Sequence, residues 1–245
     1  ISNELGEPDE QILDKIAEEV STLQKSHNIV MVSSGAVGAG KKFIKKYDGS
    51  IAKRKAAAAV GNPLLIVKYN TVFEKYGLQV AQSLTERRHF ANRELFLELK
   101  GTYQELWGND IIPIANENDV VSDRELKFSD NDELATLIAA GLGAERLMIA
   151  TEAGGLIDRS GNVVSEISEI DESVMDLVDT SKSSLGLGGM SSKLTFAKLA
   201  TKTGIKVTIF GLKKGQGGIL KSFHGEAGST FKASEVNLSA RNKWL

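Results

Sequence analysis

The sequence contains no cysteine among its 245 residues, and this absence excludes several kinds of site. Disulfide bonds, cysteine-ligated zinc, iron–sulfur clusters and thiol nucleophiles all require that residue. Histidine is scarce as well, because the chain has only His27, His89 and His224, far apart in sequence. We therefore do not expect a histidine-rich metal site.

Long apolar runs and an excess of one charge are also missing. The longest mainly apolar stretch, residues 134–144, has about eleven residues, whereas a membrane-spanning helix needs about 20. Lys plus Arg total 30 and Asp plus Glu total 32, which gives a net charge of −2. This balance gives no electrostatic reason to expect DNA or an anionic membrane as the main partner. No signal peptide is visible, so we expect a cytoplasmic protein.

Short β-rich runs alternate with helical patterns along the chain. The helical patterns have apolar residues three or four apart, and they cover a segment after Asp9 and then residues 51–76, 86–107, 132–142 and 191–203. The β-rich runs cover residues 29–32, 78–81, 111–115, 146–150 and 206–210. Because these runs are apolar on both faces, they predict a mainly parallel central sheet. The predicted fold class is α/β, a three-layer αβα sandwich.

The region that follows residue 150 interrupts this alternation of strands and helices. Residues 155–164 are typical of a β-hairpin, and a short acidic helix is predicted near 171–179. We find no Pro-, Gly- or Ser-rich linker and no internal repeat. The sequence therefore predicts a single domain over residues 1–245.

Small residues follow the first β-rich run. Gly35, Gly40 and Lys41 have the spacing of a phosphate-binding P-loop, but Lys42 stands where that loop needs a hydroxyl for magnesium. We therefore reject a P-loop. Free backbone N–H groups at this strand–helix turn can still hold an anion, with Ser34 adding a hydroxyl donor. The alternative is a close helix–strand contact that requires small residues.

Amide and carboxylate side chains cluster after the third run. Residues 116–119 read Asn-Glu-Asn-Asp, and residues 129–133 read Ser-Asp-Asn-Asp-Glu at the start of a helix. Taken singly, Asn and Asp here are typical turn formers and helix caps. Together they are able to bind the ammonium and carboxylate of an amino acid, or to position a metal-bound phosphate. The spacing of an EF-hand is absent, so calcium is not favoured.

Two further loops contain small residues. Thr151, Glu152 and three small residues follow the fourth run, and the glycine-rich segment 186–190 leads into a helix whose first turn contains Lys193. Helix N-termini disfavour cations, so a lysine there is explained by an anion such as a transferring phosphate. The alternative is a flexible loop with a solvated lysine.

Four of these motifs together resemble the glutamate 5-kinase family of the amino acid kinase superfamily. They are residues 33–40, 114–119, 128–134 and 188–193, in the order and spacing of that family. The resemblance covers essentially the whole chain. It implies ATP-dependent phosphorylation of the γ-carboxylate of L-glutamate at the start of proline biosynthesis. It also implies Mg²⁺ bound through the ATP phosphates, proline as a feedback inhibitor, a homo-oligomer, and neither a nucleic-acid nor a membrane partner.

The resemblance also assigns roles to individual residues. The residues implied in glutamate binding are Ser34, Gly35, Asn116, Asp119 and Asn131. Those implied in ATP binding are Thr151, Glu152, Leu187, Gly188, Gly189, Met190, Ser191, Ser192 and Lys193. Lys193 and Asp132 are the pair expected to act in phosphoryl transfer, and no residue is expected to be a dedicated metal ligand.

The chain departs from the family pattern in four places. The family's first strand ends in Lys-x-Gly-Ser/Thr and has no counterpart here, and we expect it to precede Ile1 in the natural protein. Glu152 and Leu187 stand where the family has Asp and Thr, which bears on nucleotide affinity. The PUA domain, an RNA-binding-type module of many bacterial members, has no counterpart before Leu245.

Two alternatives remain at this point. One is a related amino acid kinase that phosphorylates another carboxylate. The other is a non-catalytic amino-acid sensor that keeps Ser34, Asp119 and Asn131 but does not transfer phosphate.

Overall fold

The computed structural model describes residues 9–122, 131–178 and 189–234. Contacts divide these residues into two compact units, the first containing 9–122 and the second containing 131–178 and 189–234. Each unit has its own hydrogen-bonded sheet and its own helices. Within these ranges, no helix is long and apolar enough to cross a membrane.

The first unit is built on a three-stranded parallel sheet. Its strands are β1 (Met31–Val32), β2 (Gln79–Thr85) and β3 (Ile111–Glu117), arranged in the order β1-β3-β2. The central strand β3 is buried over residues 112–117, as expected of a strand with helices on both faces. Because all three strands run in the same direction, the residues that follow them meet at one edge of the sheet.

Helices of very different length accompany this sheet. They are α1 (Glu10–Gln24), α2 (Ala36–Gly40), α3 (Ile51–Glu74), α4 (Arg88–Ala91) and α5 (Arg93–Gly108). α1 begins where the Asp9 carboxylate accepts hydrogen bonds from the N–H groups of Gln11 and Ile12. In α5, the Tyr103 hydroxyl donates to Ser83 Oγ of β2 at 2.9 Å. This contact places α5 on the face of the sheet that carries Ser83.

Helices α2 and α3 approach each other unusually closely. A Cβ atom on Gly61 would lie 1.7 Å from the carbonyl oxygen of Ala36, and one on Gly40 would lie 1.9 Å from that of Ala57. No side chain fits at such distances, so only glycine allows this contact. The small residues of segment 35–40 therefore serve a close contact between two helices, whereas the sequence suggested a contact between a helix and a strand.

The second unit contains a mixed four-stranded sheet in the order β4-β6-β7-β5. Its strands are β4 (Arg146–Ala150), β5 (Glu166–Ile167), β6 (Lys206–Phe210) and β7 (Ser229–Phe231). β4 and β6 are parallel, whereas β7 runs antiparallel to β6 and parallel to β5. The helices are α6 (Asn131–Leu142), α7 (Glu172–Met175), α8 (Met190–Lys202) and α9 (Gly218–His224). Buried side chains of α6, α8, β4 and β6 form its core, among them Ala139, Ile149, Leu194, Ala197 and Ile209.

The predicted α/β fold with mainly parallel strands is confirmed. The hairpin predicted over 155–164 is present, since Ile157 and Val163 form an antiparallel bridge. The described strands belong to two hydrogen-bonded sheets, one in each unit, and the single domain stays a prediction. The sequence analysis missed β5, β7 and α9. β7 reads Ser-Thr-Phe and has no apolar run, although all three residues are buried.

Candidate functional site

Four of the residues implied in glutamate binding lie at the carboxyl edge of the first unit's sheet. Ser34 and Gly35 follow β1, Asn116 is the penultimate residue of β3, and Asp119 lies two residues beyond that strand. β1 is hydrogen-bonded directly to β3, so the ends of these two strands are neighbours. The structure thus brings the four residues to one edge, as parallel strands require.

Ser34 and Gly35 form the turn that leads from β1 into α2. Gly35 has a φ of +109°, a conformation that side chains other than hydrogen disfavour. Ser34 is exposed, and its hydroxyl has no hydrogen-bond partner within the described residues. The first N–H groups of any helix also lack partners within that helix. This turn therefore offers a hydroxyl and backbone donors to an anionic group.

Asn116 lies below this edge in a buried, uncharged hydrogen-bond network. Its Nδ2 donates to Asn62 Oδ1 of α3 at 3.1 Å, and its Oδ1 accepts from the Glu117 N–H at 2.9 Å. Nearby, Ser33 Oγ and the Tyr69 hydroxyl are 2.8 Å apart. Burial raises the pKa of Tyr69, so its hydroxyl remains neutral. We call Ser33, Asn62, Tyr69 and Asn116 the Asn116 network.

Asp132 and Lys193 form an ion pair in the second unit. Lys193 Nζ donates to Asp132 Oδ2 at 2.8 Å, and the two side chains are only 13% and 15% exposed. Asp132 lies in the first turn of α6, directly after Asn131, and Lys193 lies in the first turn of α8. Since α6 leads into β4 and α8 into β6, both helices begin near the carboxyl edge of these strands. The two residues predicted to act in catalysis are thus in direct contact.

The charge of Lys193 is at the unfavourable end of its helix. The positive end of the macrodipole lies at a helix N-terminus, so a buried lysine there needs a negative partner. Asp132 supplies that partner. A lysine ammonium has three donors, and the hydrogen bond to Asp132 uses one of them. The others are suited to oxygen atoms of an anion.

The other residues implied in ATP binding lie along the same edge of the second unit. Thr151 follows β4, and its N–H donates to the Phe210 carbonyl at the end of β6 at 2.7 Å. Gly189 precedes α8, and the first turn of α8 contains Met190, Ser191 and Ser192. Leu187 and Gly188 lie outside the described residues.

Glu152 contacts two residues that the sequence analysis did not identify. Its carboxylate lies 3.4 Å from Lys213 Nζ, and its carbonyl accepts from Gln216 Nε2 at 2.9 Å. Gln216 Oε1 in turn accepts from the Lys213 N–H at 3.1 Å. Lys213 and Gln216 belong to the glycine-rich segment 211–218, which follows the correctly predicted strand 206–210. The rule that ligands bind after parallel strands would have identified this segment as well.

Metal ligands do not cluster in the parts of the chain that the structure describes. Within them, no group of three or more His, Cys, Asp or Glu side chains could hold a metal ion. The anionic ligand suggested by Lys193 and the Ser34 turn is compatible with a metal that arrives bound to phosphate.

A model of the amino acid kinase family matches residues 3–211. The chain belongs to the amino acid kinase family. This confirms the superfamily to which the sequence motifs pointed.

Relatives within the amino acid kinase family carry a more specific name. The chain is 34% identical to the glutamate 5-kinase of Vibrio campbellii, over 94% of this chain and 63% of that protein. It is 36% identical to the glutamate 5-kinase of Gloeobacter violaceus, over 95% of this chain and 66% of that protein. The chain therefore spans just under two thirds of the length of these relatives.

Solved structures of other proteins share the fold. The carbamate kinase of Giardia lamblia bound to AMP-PNP has a TM-score of 0.66 with 18% identity, over 92% of this chain and 90% of that one. A protein of Aeropyrum pernix K1 has a TM-score of 0.59 with 15% identity, over 96% of both chains. At these identities the likeness concerns the fold alone.

Proposed function

We propose that this chain transfers the γ-phosphoryl group of ATP to the γ-carboxylate of L-glutamate, giving γ-glutamyl phosphate and ADP as the first step of proline biosynthesis. The observation that carries the proposal is the mostly buried Lys193–Asp132 pair where α8 and α6 begin. The relatives named glutamate 5-kinase support the choice of acceptor.

Lys193 has the charge and the position for phosphoryl transfer. Such reactions depend on alignment and on neutralising charge that spreads over the phosphoryl oxygens. Repulsion between the ATP phosphates and the glutamate carboxylate adds to the barrier. A lysine with unused donors at a helix N-terminus reduces this repulsion.

Asp132 acts by holding Lys193. The acceptor carboxylate is already ionised at neutral pH, so the reaction needs no strong general base. A carboxylate that accepts a 2.8 Å hydrogen bond from the lysine fixes the ammonium in place. Asp132 is therefore an orienting group in this proposal and removes no proton.

The residues of the first unit suit the acceptor. Glutamate has an ammonium group and two carboxylates, and Asp119 supplies the negative charge for the ammonium. Ser34 and the backbone N–H groups at Gly35 and in the first turn of α2 supply donors for a carboxylate. Asn116 supplies a neutral amide, which binds a charged group without adding to the repulsion. Asn131 begins α6 in the second unit, and it belongs to this proposal by the resemblance of its motif.

The nucleotide is assigned to the second unit. Thr151, Glu152, Lys213 and the first turn of α8 provide polar groups at one sheet edge. Leu187 and Gly188 belong to this proposal by the resemblance of their motif. Mg²⁺, held by the ATP phosphates, would neutralise part of the negative charge of the transferring group.

The proposal extends to three properties implied by the resemblance. They are inhibition by proline, assembly into a homo-oligomer, and location in the cytoplasm. Proline shares the charged carboxylate and the cationic nitrogen of glutamate, so the same polar groups would serve both molecules.

Trapping of the acyl phosphate tests the reaction. The full-length protein is incubated with MgATP, hydroxylamine, and L-glutamate, L-aspartate or N-acetylglutamate. We expect a hydroxamate with L-glutamate and little or none with the other two. If the hydroxamate forms with a different acceptor, that acceptor replaces glutamate in the proposal. Saturable glutamate binding without any hydroxamate would contradict the kinase and favour a sensor.

A further inference from the structure

Asn62 is a buried amide with an unused hydrogen-bond donor. It lies in the middle of α3 and is 4% exposed. Its Oδ1 accepts from Asn116 Nδ2 at 3.1 Å, but its Nδ2 has no hydrogen-bond partner among the residues that the structure describes. Buried polar atoms in folded proteins are nearly always paired, so this donor needs an explanation.

The recess beside Asn62 has a mainly apolar lining, into which side chains of the Asn116 network also face. Its walls include the other three members of the Asn116 network together with apolar side chains such as Leu65 and Ile114. It has space for about one water-sized group, such as an oxygen atom. The donor of Asn62 and the recess therefore belong to the same feature.

The position of Asn62 is not one that helix formation favours. Asparagine is a poor residue for a helix interior, and the neighbours on this face of α3 are apolar, such as Ala58 and Leu65. A leucine at this position would fill similar volume and carry no amide of its own, although it would remove the acceptor of Asn116 Nδ2. The amide therefore has a role other than stabilising α3.

Asn62 also determines the orientation of Asn116. The Asn116 Oδ1 accepts from the Glu117 N–H, and the Asn116 Nδ2 faces the oxygen of Asn62. With both ends of its amide engaged, Asn116 is held in one of its two flip states. The close α2–α3 contact at Gly61, the residue before Asn62, fixes this part of α3 beside the turn that follows β1.

We propose that Asn62 is a positioning residue for the amino acid that is phosphorylated. Asn62 orients Asn116 through Oδ1, and its Nδ2 donates a hydrogen bond to an oxygen atom of that amino acid in the recess. This inference rests on the proposed function, because it assigns Asn116 to the glutamate subsite. It adds α3 to the elements that determine acceptor affinity.

The test compares Asn62→Leu with the wild-type full-length protein. The leucine has similar volume and removes the unpaired Asn62 donor, but it also removes the acceptor of Asn116 Nδ2, so we expect only a small change in melting temperature. We expect KM for L-glutamate to rise about tenfold or more, with KM for ATP within twofold of the wild type. Asn62→Gln keeps an amide and is expected to recover part of the glutamate affinity.

A control variant separates this role from a general effect of buried polar atoms. Ser222 in α9 also has a buried side-chain oxygen without a hydrogen-bond partner. Ser222→Ala is expected to leave both KM values unchanged. Equal glutamate KM values for Asn62→Leu and wild type, or a fall in melting temperature with unchanged KM values, would overturn the inference.

Calorimetric titration with L-glutamate distinguishes failure of this inference from failure of the proposed function. If the wild type binds L-glutamate but forms no hydroxamate, the proposed kinase activity is contradicted. The effect of Asn62→Leu can still be measured as the ratio of its Kd for L-glutamate to that of the wild type. An about tenfold weaker Kd for Asn62→Leu would then support the inference. Absence of any amino-acid binding by the wild type would overturn both.

Discussion

The two units place different kinds of polar group at the carboxyl edges of their sheets. In the first unit, the side chains of the Asn116 network are buried and uncharged, and they join α3 to β3 and to Ser33, which follows β1. An ion pair between Glu86 and Arg88 also follows β2. In the second unit, the prominent contacts are ion pairs, one mostly buried between Lys193 and Asp132 and one exposed between Lys213 and Glu152.

This difference follows from what each unit is proposed to bind. A small zwitterion is recognised by donors and acceptors in fixed positions, which neutral buried amides provide at little electrostatic cost. A triphosphate is strongly charged, so cations near helix N-termini dominate its binding. The comparison predicts that substitutions in the first unit mainly change acceptor affinity, and that those in the second unit mainly change turnover and nucleotide affinity.

The largest effect is expected for Lys193→Ala. Loss of a charge that stabilises the transferring phosphoryl group is expected to lower kcat on the order of 10²–10³-fold in the hydroxamate assay, with little change in KM for glutamate. Lys198→Ala, on the same helix, is the matched control and should retain wild-type turnover. A large rise in glutamate KM instead would contradict the division between the units.

Combining Lys193→Ala with Asp132→Asn sharpens this prediction. If Asp132 acts only by holding Lys193, the double variant should lose less than about tenfold more activity than Lys193→Ala alone. If the fold-loss of activity in the double variant equals the product of the two single-variant losses, Asp132 has a role separate from holding Lys193.

The next effect is expected for Gly61→Ala, which tests whether the α2–α3 contact supports the Asn116 network. The new Cβ would overlap the Ala36 carbonyl, so we expect the free energy of unfolding to fall by about 2–3 kcal/mol in denaturant titration. KM for glutamate should rise as well, because Ala36 and Asn62 both move. Gly101→Ala is the control, since a Cβ there meets no atom within 4 Å. That exposed helical site should gain about 0.5–1 kcal/mol.

The smallest effect is expected for Lys213→Ala. Exposed ion pairs contribute about 0.2–1 kcal/mol, so KM for ATP should rise no more than about fivefold, and less at high salt. The glutamate KM should not change. Lys214→Ala is the neighbouring control, and an equal effect of both substitutions would assign the change to general charge in the loop.

The regular part of the fold could be predicted from the sequence because its signals are local. The runs 146–150 and 206–210 coincide with β4 and β6, since a short run of mainly apolar residues leaves a clear pattern. Longer-range contacts account for the differences. The run at 29–32 became a strand only at Met31–Val32, because the Ile29 carbonyl accepts from the Trp107 indole N–H at 2.9 Å. Conversely, β2 continues through Ser83, whose polarity is satisfied by Tyr103 of α5.

The candidate site could also be predicted only in part from the sequence. Side chains that directly follow strands, such as Ser34, Asp119 and Thr151, can be found from strand ends alone. Asn62 could not be identified as part of the site in this way, because its partner Asn116 is 54 residues away in sequence. Its only local signal was a polar residue within the buried stripe of α3 that also includes Ala58 and Leu65.

The strand order of the second unit constrains how it is completed during synthesis. The first unit is continuous in sequence, so all three of its strands are available once residue 117 has been made. β5, in contrast, joins its sheet only by pairing with β7, which begins at Ser229, about 60 residues later. At about 5–20 residues per second, β5 waits roughly 3–12 seconds for its neighbour while the first unit is already able to fold. A ribosome that stalls before Ser229 would therefore present a folded first unit joined to an incomplete second one.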